Sequence, residues 1–492
     1  MTCNNLFYAY NILRQSAFNK VKKTLTMTTI ERLYQAYLVS HAVTTDTRAI
    51  TPGCLFFAFK GEHFDGNTFA PTALEQGAAL CVVDRRWKDA SGQWRDEDRI
   101  IGVPDVLHTL QQLATMHRSH LTIPVVGITG TNGKTTTKEL VTAVLGRRYR
   151  TAATAGNFNN HLGVPLTLLS IPANAEIAVV EMGANHPGEI ASLCAIANPD
   201  YGLITNVGRA HLEGFGSFEG VVHTKTELYR HLAAKHGTVF VNAGNETLLS
   251  QAERLATIPN LDSVIPAYAP GVPSLEPQMV LQTPLSLVTY GRTADADVRG
   301  TLVGCDPYLH LYFEVGDNVY NVHSHLLGDY NFDNAMAAVC VGLHFGVEPF
   351  DIKEAIEQYT PSNNRSQYKR TERNALYLDC YNANPSSMAA AIDSFRRIEA
   401  PHKAAIIGGM HELGADEAKE HRALVASLAQ CQLDRCYLVG PEFNNIDLAP
   451  SMTLFPDTAT LRAHLSTHPL SGATILVKGS NTNRLWTLEE LL

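Results

Sequence analysis

From Ile123 onward, short apolar runs alternate with longer segments of helical periodicity. IPVVGIT precedes KTTTKELVTAVLGRR, EIAVVEM precedes PGEIASLCAIA, and YGLITNV precedes a helix expected over Gly220–Lys235, with TVFVNA after it. Runs continuous in Val and Ile are what strands covered on both faces require. Separated by helices, they predict a mostly parallel sheet with helices on either side. Upstream, CLFFAFKG and PTALEQGAALCVVD predict a smaller α/β unit. TMTTIERLYQAYLVS predicts an opening helix capped by Thr28 or Thr29.

The pattern changes after residue 258. Residues 259–290 are rich in Pro and turn formers, and LHLYFEVGDNVYNVHSHLLG then alternates partially around a Gly-Asp-Asn turn, predicting an antiparallel excursion. A helix over about Asn331–Phe345 closes this block. TPSNNRSQ (Thr360–Gln367) reads as a linker. Beyond it, ALYLDCYN, a helix after Pro385, KAAIIGG, a helix near Asp416–Gln430, RCYLVG and TILVKGS predict a second, Rossmann-like α/β unit. Three domains result: 27–120, 121–359 and 360–492.

Composition narrows the function classes. A 492-residue chain with 45% hydrophobic and 18% charged residues can bury large cores. A net charge of -9 argues against a nucleic-acid binder held by phosphate contacts. Nine scattered cysteines without a C-x-x-C pair signal neither a zinc site nor a disulfide framework, and they suit a reducing cytoplasm. No apolar run is long enough to span a bilayer, so no membrane insertion is expected. Residues 1–26 lack Asp and Glu and carry Arg14, Lys20, Lys22 and Lys23, but no apolar h-region. They read as a dispensable, poorly ordered extension. Oligomeric state leaves little trace in the sequence; a monomer is expected.

The densest chemistry lies in GITGTNGKTTTKEL, Gly127–Leu140. A phosphate chain needs closely spaced backbone N–H donors and no side chain in the way, and a helix N-terminus adds a favourable dipole. Gly130, Thr131, Asn132 and Gly133 form such a loop. Lys134 supplies a cation, and Thr135 supplies a hydroxyl for Mg²⁺. The usual G-x-x-x-x-G-K-[ST] spacing is not met, because Ile128 occupies the first glycine's place. Glu181 in VVEMGAN and His211 in TNVGRAHLEGFGS follow successive strands, whose ends converge on the ligand crevice of an open parallel sheet. Taken singly, each is equally compatible with a solvated or structural role. Lys225 in VVHTKTELY carries the wrong charge for a metal site. A neutral lysine amine, however, adds CO₂ to give an anionic carbamate, which has the right one.

Together these stretches resemble the Mur ligases of peptidoglycan synthesis. GTNGKTTT, GNFNNHLGVPLTLL, EMGANHPGEI, TNVGRAHLEGFGS, HTKTELY, GDYNFDNAMAA, DCYNANPSSM, GGMHELG and LVKGS carry the resemblance in order. TDTRAITPGCLFFAFKGEHFDGNTF resembles the UDP-sugar domain of the MurE/MurF branch, so the likeness covers about residues 28–480. EMGANHPGEI, the GNFNN run and DCYNANPSSM are MurF-like, and the D-N-P-[RA] signature of MurE amino-acid selection is absent. The resemblance implies an ATP-dependent ligase adding D-alanyl-D-alanine to UDP-MurNAc-tripeptide through an acyl phosphate. It thereby implies a part in cell-wall biogenesis, cell shape and division. A MurE-like ligase adding a single amino acid, or a non-catalytic nucleotide-switched binding protein, are the alternatives.

Residue by residue, the resemblance implies that Gly130, Thr131, Asn132, Gly133, Lys134, Thr135 and Thr136 hold the ATP phosphates. Thr135 and Glu181 would serve one magnesium; His211 and a carbamate on Lys225 would serve a second. Asn331 and Asn334 would reach the adenine side, with Tyr330 standing where many relatives carry His. Arg365 and Asp379 would reach the nucleotide from the C-terminal domain, although Arg365 equally suits a surface ion pair at the linker. Asn382 and Asn384 share that strand-end turn. Thr47, Arg48, Asp65, Gly66 and Asn67 resemble the uridine-sugar pocket, where sequence physics alone favours a turn and a solvated loop. Asn157 and Asn160 would face the substrate. Glu412 and Lys478 would lie where the incoming dipeptide is chosen.

Overall fold

The computed structural model describes residues 27–40, 42–87, 98–257, 285–361 and 365–492. The expected extension 1–26, Cys3, most of the turn-rich stretch 259–290 and linker residues 362–364 lie outside them. The described residues up to Thr122 pack with Pro165–Ser170 as one compact unit; Ile123–Val164 and the described residues from Ile171 form the other.

In the first unit, Thr28 caps the helix Thr29–Ser40. Its hydroxyl accepts from Glu31 N (3.2 Å), and Glu31 Oε2 accepts from Thr28 N (2.7 Å), a reciprocal capping box. A four-stranded parallel sheet follows: β1 Val43–Thr44, β2 Leu55–Phe57, β3 Leu80–Asp84 and β4 Ile100–Val103, in that spatial order.

The second unit contains a nine-stranded and a six-stranded sheet. The larger one comprises β5 Val125–Thr129, β6 Thr151–Ala153, β7 Ile177–Glu181, β8 Tyr201–Ile204, β9 Thr238–Asn242, β10 Ser286–Gly291, β11 Val298–Cys305, β12 Tyr308–Val315 and β13 Asn318–Leu327. Their order is β13-β12-β11-β10-β9-β8-β5-β7-β6. β5 and β7 are buried at every position, as their unbroken apolar runs require. The helix Asn331–His344 is buried almost all round and lies against the helix Lys134–Leu145. Only small residues permit this approach: a Cβ on Gly342 would meet Val144 Cγ1 at 2.5 Å.

The smaller sheet has the order β14 Gln367–Arg370, β15 Ala375–Asp379, β19 Thr474–Lys478, β16 Lys403–Gly408, β17 Arg435–Val439, β18 Met452–Phe455. Only β14 runs antiparallel. The expected α/β class, with a mostly parallel sheet that carries the phosphate-loop motif after one of its strands, is the observed one. Among the described residues no helix is long and apolar enough to cross a membrane, and all eight cysteines are free thiols.

Three expectations need correction. Residues 286–291 are not turn: SLVTYG forms β10, pairing in parallel with β9. The antiparallel excursion includes a third strand, β11, which is parallel to β10 and antiparallel to β12. The single helix expected over Gly220–Lys235 is two, Phe218–Lys225 and Glu227–Ala234. The hydroxyls of Thr224 and Thr226 bond back to Gly220 O (2.9 Å) and Val222 O (2.8 Å), an arrangement that bends helices. The break leaves Lys225 at the end of the first segment.

Candidate active site

The stretch after β5 turns through two left-handed glycines, Gly130 (φ 146°) and Gly133 (φ 76°), before the helix begins at Lys134. A Cβ on Gly130 would fall 2.0 Å from Thr205 Oγ1, and one on Gly133 2.5 Å from Asn334 Oδ1. Both positions therefore require glycine. Thr131 N donates to Asn206 O (2.9 Å) and Asn132 N to Asn206 Oδ1 (3.0 Å), while Asn132 O accepts from Thr205 Oγ1 (2.6 Å). Two of the amides expected to face phosphate are thus held by the loop after β8. The amides at the helix start, which no intrahelical carbonyl can satisfy, remain for an anion. Thr136 lies half-buried in that first turn.

Lys134 folds under the loop, its Nζ donating to Gly130 O and Thr131 O, each at 2.9 Å. Loss of water pulls its pKa down to about 8; Glu181 opposes that shift and Arg365 adds to it. Glu181 is fully buried at the end of β7. One carboxylate oxygen, Oε1, accepts from Thr135 Oγ1 (3.2 Å) and Asn159 Nδ2 (2.7 Å), while the other, Oε2, is buried with no hydrogen-bond partner. Carboxylate, hydroxyl and amide oxygens are the donors that a hard cation such as Mg²⁺ takes, and an unpaired buried carboxylate oxygen fits that need.

Lys225 is also removed from water, at 2% exposure. Its Nζ makes a 3.3 Å bond to Ala184 O and lies 5.3 Å from the centroid of the Phe215 ring. Desolvation first, and the Lys134 charge second, lower its pKa to about 7. His211 adopts a left-handed backbone (φ 50°) and pairs through Nδ1 with Glu412, which is left-handed too (φ 62°). Burial lowers the His211 pKa, Glu412 opposes the shift, and Lys134 and Lys225 add to it. Among the described residues, no three His, Cys, Asp or Glu side chains gather as a metal cluster.

The C-terminal sheet meets this loop directly. Asn384 Nδ2 donates to Asn132 Oδ1 (2.8 Å), and Asn132 Nδ2 to Asn384 Oδ1 (3.4 Å). The same Asn384 oxygen caps the helix Pro385–Arg396 through Ser387 N (2.9 Å). Arg209 N donates to Ser386 Oγ (2.8 Å), and the Arg209 guanidinium lies 3.1 Å from Glu420. Arg365 stacks 3.5 Å above the Tyr381 ring, with no ion pair among the described residues, while its charge is felt at Lys134.

Other expected residues have protein partners. Asn331 and Asn334 are buried: Asn334 Oδ1 accepts from Thr137 Oγ1 (3.0 Å), its Nδ2 donates to Asn331 Oδ1 (2.7 Å), and Asn331 Nδ2 donates to Leu327 O (2.7 Å). Asn334 lies directly against Gly133. Tyr330 donates or accepts with Ser366 Oγ (3.1 Å). Asp379 pairs with Lys478, which is 1% exposed and so buried beneath the strand ends. Asn382 Oδ1 accepts from Ala383 N (2.9 Å). Asn160 Oδ1 caps Leu162 N (3.1 Å) and Gly163 N (2.9 Å), and Asn157 is exposed. Asn159, passed over between them, is the member of GNFNN that reaches Glu181; three asparagines in four positions gave no way to choose. Asn206 and Thr205 were also missed, although TNV directly after β8 marks a strand-end loop.

In the first unit, Thr47 and Arg48 lie in a one-turn helix capped by Asp46, to which Arg48 is paired at 2.6 Å. Asp65 Oδ1 accepts from Asn67 N (3.0 Å) and Nδ2 (2.6 Å), and Asn67 Oδ1 accepts from Asp84 N (2.9 Å). A Cβ on Gly66 would strike Phe59 O at 2.2 Å. Asp65, Gly66 and Asn67 therefore knit their loop to β3.

Family models match the chain in three successive blocks: the Mur ligase family catalytic domain over 39–118, the Mur ligase middle domain over 128–259, and the Mur ligase glutamate ligase domain over 364–481. The UDP-N-acetylmuramoyl-tripeptide–D-alanyl-D-alanine ligase of Bacillus subtilis is 36% identical over 405 residues, 82% of this chain and 80% of that one.

This chain belongs to the Mur ligase family.

Among solved Mur ligases, MurF from Acinetobacter baumannii superposes with a TM-score of 0.76 at 28% identity, covering 91% of this chain and 92% of that one. MurF from Thermotoga maritima, solved in complex with ADP, gives 0.75 at 26% identity, covering 94% and 98%. Within the family the likeness is thus to its MurF branch.

The Asn132–Asn384 pair is testable by separating its two jobs. Asn384→Asp keeps the capping oxygen but cannot donate to Asn132, and it places a negative charge at the phosphate loop. It should melt like the parent and bind nucleotide at least about tenfold more weakly. Asn384→Ala should also lose about 1 kcal/mol of cap energy. Thermal melting and a nucleotide titration on both variants check this; equal nucleotide affinity in Asn384→Asp would exclude the pair from the binding loop.

Proposed function

We propose that this chain joins D-alanyl-D-alanine to UDP-MurNAc-tripeptide at the expense of ATP, as the names of its relatives state for those proteins. The observation that carries this reading is a convergence. An anion-receiving helix start, a half-buried cation, a carboxylate with one unpartnered oxygen and a lysine poised to be neutral all lie at or after successive strands of one sheet.

A free carboxylate resists attack because its carbonyl is electron-rich and its leaving group poor. Transfer of the γ-phosphoryl group to the tripeptide's terminal carboxylate gives an acyl phosphate and ADP. The dipeptide amine then attacks the acyl carbon, and phosphate leaves. In this scheme the helix-start amides and Lys134 bind and neutralise the phosphates. Glu181 and Thr135 would hold magnesium there, and His211 with a carbamate on Lys225 would hold a second ion; when bound, the metal neutralises developing phosphate charge. Burial keeps the Lys225 amine able to react with CO₂ near neutral pH, since only the unprotonated form adds it. Arg365 and Asn384 approach the nucleotide from the C-terminal side. Thr47, Arg48, Asp65, Gly66 and Asn67 would take the uridine-sugar, with Asn157, Asn160 and Asn382 toward the peptide. Domains 27–120, 121–359 and 360–492 would divide the work, and an intermediate that water destroys calls for an enclosed site. The reading includes a cytoplasmic monomer serving cell-wall growth, shape and division, and the free thiols agree with a reducing compartment.

Phosphate release by purified protein should require ATP, UDP-MurNAc-tripeptide and D-alanyl-D-alanine together. Lys134→Ala should lower it by about a hundredfold or more with the fold intact. Release with a single amino acid in place of the dipeptide would indicate MurE-like chemistry. Nucleotide binding without substrate-dependent turnover would indicate a binding protein.

Lys225→Ala should be nearly inactive and partly restored by short carboxylates. With ¹³C-bicarbonate, a carbamate resonance should grow as pH rises through about 7, where the Lys225 amine loses its proton. Full activity of Lys225→Ala without rescue would remove Lys225 from the metal site.

A further inference from the structure

Glu181 is placed by its backbone as well as by its side chain. Its N–H donates to Thr154 Oγ1 (3.0 Å), and Thr154 N donates to Val179 O (3.0 Å), so the residue after β6 sets where β7 ends. Thr154 O in turn accepts from Lys138 Nζ (2.9 Å). Lys138 stands one turn beyond Lys134 on the phosphate-loop helix and is 3% exposed. A lysine is seldom so buried, because its ammonium loses water and needs acceptors in return. Beyond the Thr154 carbonyl, Glu139 Oε1 lies 3.7 Å from Lys138 Nζ, and Glu139 Oε2 accepts from the hydroxyl of Tyr359. Tyr359 ends the helix Pro349–Gln358 as its C-cap, immediately before Thr360. A simple apolar residue would fill the Lys138 position without these demands.

We infer that Lys138 is a positioning residue: its ammonium fixes Thr154 and hence the orientation of Glu181, and Tyr359 steadies that ammonium through Glu139. The inference rests on reading Glu181 as the magnesium-binding carboxylate. It adds a chain of contacts, Tyr359–Glu139–Lys138–Thr154–Glu181, running from the C-terminal end of the middle segment to the carboxylate. The Lys138 ammonium is directed to Thr154 O and Glu139 Oε1. Its effect therefore belongs to cation binding and not to nucleotide binding itself.

The test is calorimetric titration of the full chain with ADP in EDTA, and of the ADP-loaded chain with Mg²⁺. Lys138→Met, similar in length but uncharged, should bind ADP within twofold of the parent and lose about tenfold or more in Mg²⁺ affinity, as expected for a group supporting a metal ligand. Tyr359→Phe, which retains the ring, should show a smaller loss of about threefold. Glu181→Gln is the reference. If Glu181→Gln loses Mg²⁺ affinity while Lys138→Met and Tyr359→Phe titrate like the parent, the positioning role is overturned and the magnesium reading stands. If Glu181→Gln also titrates like the parent, both are overturned. A Lys138→Met protein that loses ADP affinity equally without Mg²⁺ would mark a merely structural lysine and overturn the inference. Should that variant fail to fold, Tyr359→Phe decides: an unchanged Mg²⁺ affinity overturns the inference.

Discussion

A carboxylate removed from water, with one oxygen held by two donors and the other left empty, is the constraint on which this site turns. Leaving a buried acceptor unsatisfied costs about 1–3 kcal/mol, and more when it is charged. Glu181 sustains that cost at the end of a strand buried at every position. Its environment is built to fix the filled oxygen: Thr135 from the phosphate-loop helix and Asn159 from the GNFNN loop converge on it from two directions. Under the proposed function, a cation at that second oxygen would offset the desolvation, next to a helix start suited to anions. In that reading cation and phosphate would answer each other's charge, so that each half of the proposed site depends on the other.

The second constraint is that the C-terminal sheet contributes to the same place. Two asparagine amides exchange hydrogen bonds between the phosphate loop and a helix cap, and His211 meets Glu412 from the opposite sheet. Exposed ion pairs such as Arg209–Glu420 add little energy, typically about 0–1 kcal/mol. Their value is in register: they hold loops of one sheet beside loops of the other, alongside the apolar contact of Leu327 and Tyr308 with the C-terminal core.

Much of this was legible in the chain. Unbroken Val/Ile runs mark strands covered on both faces, and the permissive loop after IPVVGIT announces a backbone that must approach something closely; Gly130 and Gly133 do adopt left-handed angles. Less legible were features fixed by pairings distant in sequence. β11 has no apolar alternation strong enough to announce itself, since it borrows order from β10 and β12. The helix break at Thr226 depends on hydroxyls choosing backbone carbonyls, which periodicity does not register. Asn159 could not be told from its neighbours because loop geometry, not residue type, selects which amide turns inward. Asn331 and Asn334, expected from the motif toward the nucleotide, have a second role that the motif does not show: they bond to each other, and Asn334 to Thr137, beneath the loop.

Passage of a phosphoryl group to a carboxylic acid is the step that gives the loop, the buried carboxylate and the surrounding lysines a common purpose. Tripeptide substrate labelled with ¹⁸O in its terminal carboxylate should, on turnover, deliver one labelled oxygen into the released inorganic phosphate, detected by mass or by the ³¹P isotope shift. Ligation that proceeds while every label stays in the peptide product would contradict carboxylate activation, and with it the roles proposed for Lys134 and Glu181.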